Sequence, residues 1–360
     1  MAGIKGLSWP NASHDNAFID TACGMFSELG VIVRPGNPGF WITPLQRADV
    51  YIIHWPDAIF WGKTSLKQLR FRIARILKNL ALLKAHCTRI LWFVHNLQPH
   101  DLSRERQRAW NVYARGLSRL VDGWLTLSPS TGALAISRYP ALARKRHSFI
   151  WHPPYVDEYG GSRAQAREEL GLSDEAMVFG HAGQLRPYKN LGSLAAQFEE
   201  ISPDGALLLL TGIAKDGTER ELNALVGKVR GLDYREGRLL ASEFDRALTA
   251  MDVFVAPYGR FLHSGALVHA LSRGCVVVAP RAPFTEDLVR EFGQKWVVLY
   301  DGEFDATVLS RAALAARRQD GQSPDLTVLD PAQNIDRLRA FLSGLGLGVT
   351  TRGSEAAQVT

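Results

Sequence analysis

The sequence predicts an α/β protein made of two doubly wound, Rossmann-like domains facing a cleft. Three observations carry this. Short apolar runs alternate with amphipathic stretches along the whole chain, the pattern of βαβ units and parallel sheets covered on both faces. The pattern occurs twice in series, and 360 residues are too many for one ordinary core. Two prolines in Trp151-His-Pro-Pro-Tyr155 follow an apolar run and mark a join.

Taken in order, residues 31–33, 50–53, 90–94 and 124–127 read as buried strands of a first domain, 1–155. Residues 177–180, 206–210, 253–256, 275–279 and 296–299 read as those of a second, 156–330. Residues 331–346 read as a C-terminal helix and 347–360 as a disordered polar tail.

Composition is that of a soluble globular protein, 46% hydrophobic and 22% charged. Three scattered cysteines (Cys23, Cys87, Cys275) without a C-x-x-C pair argue against a disulfide framework or zinc ribbon and suit a cytoplasmic setting. The net charge of +6 is unevenly spread: residues 1–155 carry 20 Lys and Arg against 8 Asp and Glu, the rest 22 against 28. The first half is expected to meet an anionic partner. Nucleic acid ranks last among such partners and is not expected, since no nucleic-acid motif is present.

The G-x-G-x-x-G, Walker, H-E-x-x-H and G-x-S-x-G signatures are all absent. The informative loops follow strands. In Gly180-His-Ala-Gly-Gln-Leu-Arg-Pro-Tyr-Lys-Asn-Leu191, the Gly183, Gln184, Arg186 and Lys189 positions sit where a doubly wound domain binds ligands, with two cations suited to a diphosphate. After residues 253–256 come Tyr258, His263, Ser264 and Gly265, a capped helix start that can hold phosphate through its amides.

In the first half, His54, His95, Asn96, His100 and Asp101 follow two strands, where α/β enzymes keep reactive groups. Residues 65–89 form a basic amphipathic helix. Its Arg70, Arg72, Arg75 and Lys78, with Phe60-Trp61 nearby, suit an anionic membrane surface; packing of its apolar face on a sheet is the alternative. Asp301-Gly-Glu-Phe-Asp305 reads as a helix start, and no metal is expected.

Five segments in one order carry a resemblance. They are His54-Trp-Pro56, His95-Asn-Leu-Gln-Pro-His-Asp101, Arg186-Pro-Tyr-Lys189, His263-Ser-Gly265 with Ala270-Leu-Ser272, and Trp296-Val-Val-Leu-Tyr-Asp-Gly-Glu-Phe-Asp305. Together they resemble the xanthan-type β-mannosyltransferases of bacterial exopolysaccharide assembly, which have the GT-B fold. Asn16 is kept, in Ser13-His-Asp-Asn16, where the family has an Asn-Pro-Tyr type of segment.

The resemblance implies inverting transfer of mannose from GDP-mannose to a polyprenyl-diphosphate-linked oligosaccharide. The setting would be the cytoplasmic face of the inner membrane, with peripheral attachment and no cofactor beyond the nucleotide sugar. It assigns acceptor binding to the first domain (Asn16, His95, Asn96) and donor binding to the second. The candidate general base is Asp101, then His100 or His54, with Asp15 and Asp57 also open. A UDP-sugar donor (glucuronic acid or glucose) and a non-catalytic membrane-associated binding module are the rival readings.

Overall fold

A computed structural model describes residues 3–10, 17–39, 46–62, 64–99, 102–201, 205–319 and 321–350. The chain divides into two compact units, residues 1–153 with 329–360, and residues 154–328.

Unit 1 is a six-stranded parallel sheet of β1 (Ile4–Trp9), β2 (Val31–Pro35), β3 (Val50–Ile53), β4 (Arg89–Phe93), β5 (Gly123–Thr126) and β6 (Arg146–Phe149). Its order is β2-β1-β3-β4-β5-β6, so the winding reverses between β1 and β3. The connecting helices are α1 (Ala17–Glu28), α2 (Leu66–Ala85), α3 (Arg104–Leu120) and α4 (Gly132–Arg138).

Helix α2 starts at a capping box, with Ser65 and Gln68 each accepting from the other's backbone amide. Its apolar stripe of Leu69, Ile73, Ile76, Leu80 and Leu83 is buried in unit 1, against β4 and α3. The expectation that this stripe meets a membrane is therefore corrected: it covers the sheet. What α2 exposes is the opposite face, with Arg70, Arg72, Lys78 and Phe71, while Arg75 is half-buried.

Unit 2 has the strands β7 (Met177–Ala182), β8 (Ala206–Gly212), β9 (Leu232–Glu236), β10 (Val253–Val255), β11 (Val276–Pro280) and β12 (Val297–Tyr300). They are parallel in the order β12-β11-β10-β7-β8-β9, the doubly wound arrangement of nucleotide-binding domains, with the reversal between β7 and β10. Its helices are α5 (Arg163–Glu169), α6 (Leu191–Ile201), α7 (Thr218–Asn223), α8 (Ala241–Ala250), α9 (Gly265–Ser272), α10 (Pro283–Phe292) and α11 (Ala306–Arg317). Asp305 caps α11 by accepting from the Val308 amide at 3.1 Å, the helix-start role read from its sequence.

The last helix, α12 (Pro331–Ser343), returns to unit 1. Ile335, Leu338, Phe341 and Leu342 join Phe18, Phe26, Leu125 and Ile150 in one core, and Asn334 Oδ1 accepts from the Trp151 amide at 3.1 Å. Leu347 is buried and Val349 packs on the same core, so the tail expected to be disordered is ordered as far as residue 350. The remainder, 351–360, lies outside the described residues.

Candidate active site

Ligands of open α/β sheets bind beyond the carboxyl ends of the strands, where the winding reverses. In unit 2 that point lies between β7 and β10, and it opens into residues 183–190 and 257–264. The two loops are stitched together. The Gly259 amide donates to the Tyr188 carbonyl at 2.8 Å, and the Asn190 side-chain amide donates to the Pro257 carbonyl at 2.9 Å. Asn190 adopts the left-handed conformation (φ 50°) that ends the 3-10 turn Pro187–Lys189 and lets α6 begin.

That turn drives Lys189 inward, to 6% exposure. Its Nζ lies 2.9 Å from His181 Nε2 and 5.4 Å from the centre of the Tyr258 ring. Burial, and then the neighbouring Arg186, lower the Lys189 pKa from 10.5 to about 7. The pair read as two cations thus has two different members. Arg186 is half-buried, donates from Nε to Gln184 Oε1 at 3.1 Å and lies 3.7 Å from Asp216, whereas Lys189 is enclosed. Gln184 is exposed and Gly183, at φ +110°, closes β7 against β8.

Ser264 caps α9, its Oγ accepting from the Leu267 amide at 3.4 Å and bonding the Tyr258 side chain. The Gly265 and Ala266 amides have no acceptor within the helix and carry the positive end of its dipole. His263 is half-buried, edge-on to Phe284 at 5.4 Å.

Further along α9, His269 hydrogen-bonds the fully buried Asp245 of α8, and Tyr155 stacks flat on its ring at 4.0 Å. Asp245 also accepts from the Glu158 amide at 2.6 Å, and Arg273 lies 3.6 Å away. These contacts fasten residues 155–158, near the start of unit 2, to the helices behind the loops.

In unit 1 the reversal lies between β1 and β3. His54 follows β3, His95 and Asn96 follow β4, and His152 follows β6. Phe18 of α1 stands among the three histidines, its ring 5.9, 4.8 and 5.2 Å from those of His54, His95 and His152. His54 stacks on Phe93 and its Nδ1 lies 3.4 Å from His95 Nε2; Trp55 stacks on His95 at 4.1 Å.

His54 is 1% exposed, and burial pushes its pKa down to about 3. Asp57 is buried in a 3-10 turn (Pro56–Phe60), where burial raises its pKa to about 6 against the bonds of its own amide and Trp61. Asn96 is half-buried. Asn16, Asp15, His100 and Asp101 lie outside the described residues.

Sequence reasoning missed His152, Asp245, His269 and above all His181. A histidine inside the apolar strand MVFGHA was the available signal, since a buried imidazole requires hydrogen-bond partners. Among the described residues no cluster of His, Cys, Asp or Glu has the makings of a metal site.

No family model matches the chain. Two curated sequences from Xanthomonas campestris, each described as a GDP-mannose:glycolipid 4-beta-D-mannosyltransferase, are 28% identical to it over 308 residues, 84% of this chain and 82% of theirs. Among solved structures, Anabaena HepE in complex with UDP superposes with a TM-score of 0.61 at 14% identity, covering 95% of this chain and 100% of that one. WaaG, a glycosyltransferase involved in lipopolysaccharide biosynthesis, gives 0.60 at 15% identity over 93% and 99%. The chain is a GT-B glycosyltransferase.

For a glycosyltransferase this geometry has a chemical sense. Sugar transfer builds negative charge on the departing diphosphate, and positive groups fixed in advance stabilise that charge without reorganising. The enzyme's second unit holds a buried amine and a helix start on adjoining loops. Its first unit gathers the aromatic and imidazole rings of Phe18, Trp55, His54, His95 and His152.

Proposed function

We propose that the enzyme transfers mannose from GDP-mannose to a polyprenyl-diphosphate-linked oligosaccharide in exopolysaccharide assembly, with inversion to a β-linkage. The observation that carries the reading is similarity over most of the chain to relatives described as GDP-mannose:glycolipid mannosyltransferases. In the proposed step an acceptor hydroxyl oxygen attacks the anomeric carbon. The bond from that carbon to the diphosphate oxygen breaks, its electron pair leaves with GDP, and the hydroxyl proton passes to a base. Lys189, Arg186 and the amides after Ser264 stabilise the leaving diphosphate, with Gly183, Gln184, Tyr258, His263 and Gly265 shaping the donor loops. Asp101 is the proposed base, His100 its alternate, and His95, Asn96 and Asn16 the acceptor contacts.

Peripheral attachment to the inner face of the cytoplasmic membrane belongs to the same proposal, through a different face of α2 from the one its sequence favours. Among the described residues no helix is long and apolar enough to cross a membrane. The exposed sides of the adjacent α2 and α3 carry Arg70, Arg72, Arg104 and Arg108 beside exposed Trp61 and Phe71, a basic and aromatic surface suited to anionic lipid.

The test is thermal melting with GDP, UDP, GDP-mannose and UDP-glucose, followed by sugar transfer onto lipid-linked acceptors. Ligand at about 100 times its Kd adds about 2.7 kcal/mol. A response confined to the guanine nucleotides, and transfer lost in Asp101→Asn with folding intact, are expected. A uridine response overturns the donor, and wild-type kcat in Asp101→Asn overturns the base.

A further inference from the structure

We propose that His181 is a positioning residue of the donor site, its Nε2 accepting a hydrogen bond from Lys189 Nζ so that the buried cation is aimed at the leaving diphosphate. This rests on the reading that Lys189 meets that diphosphate.

Three features of the molecule carry it. His181 Nδ1 lies 2.9 Å from the Val255 carbonyl oxygen, which only accepts, so Nδ1 bears the ring proton and donates. Nε2 is then a lone-pair acceptor, and the group 2.9 Å from it is the Lys189 amine. Both ring nitrogens of a fully buried histidine are thereby used, Nδ1 on β10 through Val255 and Nε2 on the loop after β7 through Lys189.

Packing alone does not call for an imidazole here. The ring sits among Phe254 and Tyr258, at 4.9 and 5.8 Å, where an apolar side chain fills the space without the desolvation of two nitrogens. Burial and the nearby Lys189 keep His181 neutral, so it stays an acceptor when the site holds a cation. With one Lys189 N–H committed to His181 and the Tyr258 face alongside, the lysine stem loses the freedom that a surface lysine has. The remaining N–H donors are presented in a fixed direction before ligand arrives.

The substitutions that test this separate the two nitrogens. In His181→Gln the amide reaches the position of Nε2 and keeps an acceptor for Lys189. In His181→Asn it reaches only the position of Nδ1, keeping the bond to Val255 and losing the acceptor. Calorimetric titration with inorganic pyrophosphate, GDP and UDP is run on wild type, both variants and Lys189→Met, with melting of the unliganded proteins as the folding control. Expected are Gln affinities within about threefold of wild type and Asn affinities weaker by about tenfold or more for every diphosphate probe, with both unliganded variants melting cooperatively as folded proteins.

If Asn binds as tightly as wild type while Lys189→Met is weakened, the positioning role is overturned and the diphosphate reading stands. If Gln and Asn lose affinity equally, the acceptor at Nε2 is not what matters and the proposal fails. If Lys189→Met binds as wild type, or no diphosphate binds wild type, the diphosphate reading falls and the positioning role falls with it.

Discussion

Replacing Lys189 with methionine is expected to stabilise the folded protein while disabling the enzyme. The lysine pKa falls from 10.5 unfolded to about 7 folded, which at 1.36 kcal/mol per tenfold corresponds to about 5 kcal/mol held against the charged form. At pH 7, where the folded amine is half protonated, about 4 kcal/mol of that acts against folding. Methionine fills nearly the same volume without the charge, but leaves His181 Nε2 without its donor, a loss of about 1–3 kcal/mol. The net gain is about 2 kcal/mol, roughly 4–8 °C in the melting of a unit of this size.

The pH dependence identifies the cause. Between pH 7 and 10.5 the unfolded lysine holds a proton that the folded one has released, so the wild type becomes more stable as pH rises through that window. The variant lacks this rise. Its advantage is therefore largest below pH 7 and vanishes by about pH 10. Urea unfolding of both proteins at pH 6, 8 and 10 measures it, and kcat/KM is expected to fall about 10²–10³-fold. A variant less stable than wild type at pH 6, or a difference independent of pH, refutes the buried ammonium as the source.

Gly212→Ala is expected to destabilise by at least about 2 kcal/mol and to weaken nucleotide binding, because Gly212 has φ +134° and a Cβ there overlaps the Gly183 carbonyl; unchanged urea unfolding argues against it. His54 stays neutral above about pH 3, so His54→Asn leaves the acid limb of the kcat/KM profile between pH 5 and 8 where it was. An acid limb that disappears in the variant restores His54 as a titrating base. Arg70→Glu with Arg72→Glu abolishes co-sedimentation with anionic vesicles while melting stays within about 2 °C, since both side chains are exposed. Retained binding removes this face from the membrane proposal.

The strands legible in the sequence are those that read as plain apolar runs; most have both faces covered, while β2, an edge strand with Ile32 exposed, shows itself through its Val-Ile-Val run. The three that escaped have specific reasons. β6 (RHSF) and β9 (LDYRE) are edge strands with half-exposed, polar sequences, and β1 (IKGLSW), though central, has an exposed lysine and a glycine directly after Ile4. The amphipathic pattern of α2 was legible, but its destination was not, because a stripe at helical spacing fits a sheet as well as a bilayer. Nor does any local signal say which domain a terminal helix rejoins; for α12 this follows from the fit of Phe341 over Gly123, a contact between residues far apart in sequence. At the site, the loop after β7 was legible from its position after a strand. The burial of Lys189 was not: a Lys in a loop is ordinarily solvated, and only the turn ending at Asn190 turns this one inward to the strand histidine.

That inward turn gives the donor site an electrostatic logic that an exposed lysine would lack. The groups facing Lys189 are His181 from β7, Tyr258 from the loop after β10, and Arg186 from its own loop, itself near Asp216. None of the three brings a negative charge: the imidazole is held neutral, the phenol is pushed far above its ordinary pKa by burial, and the nearby guanidinium repels. The unliganded site therefore holds its amine close to the midpoint of ionisation at neutral pH. In the proposed donor role of this site, a diphosphate supplies the missing negative charge, raises the lysine pKa, and draws a proton onto Nζ as it binds. Linkage then fixes the sign: nucleotide affinity falls as pH rises above about 7, and binding at neutral pH takes up a fraction of a proton. The stability forgone in the empty site is thus recovered by the one class of ligand whose charge grows during the reaction, which is the condition for an interaction to favour the transition state over the ground state.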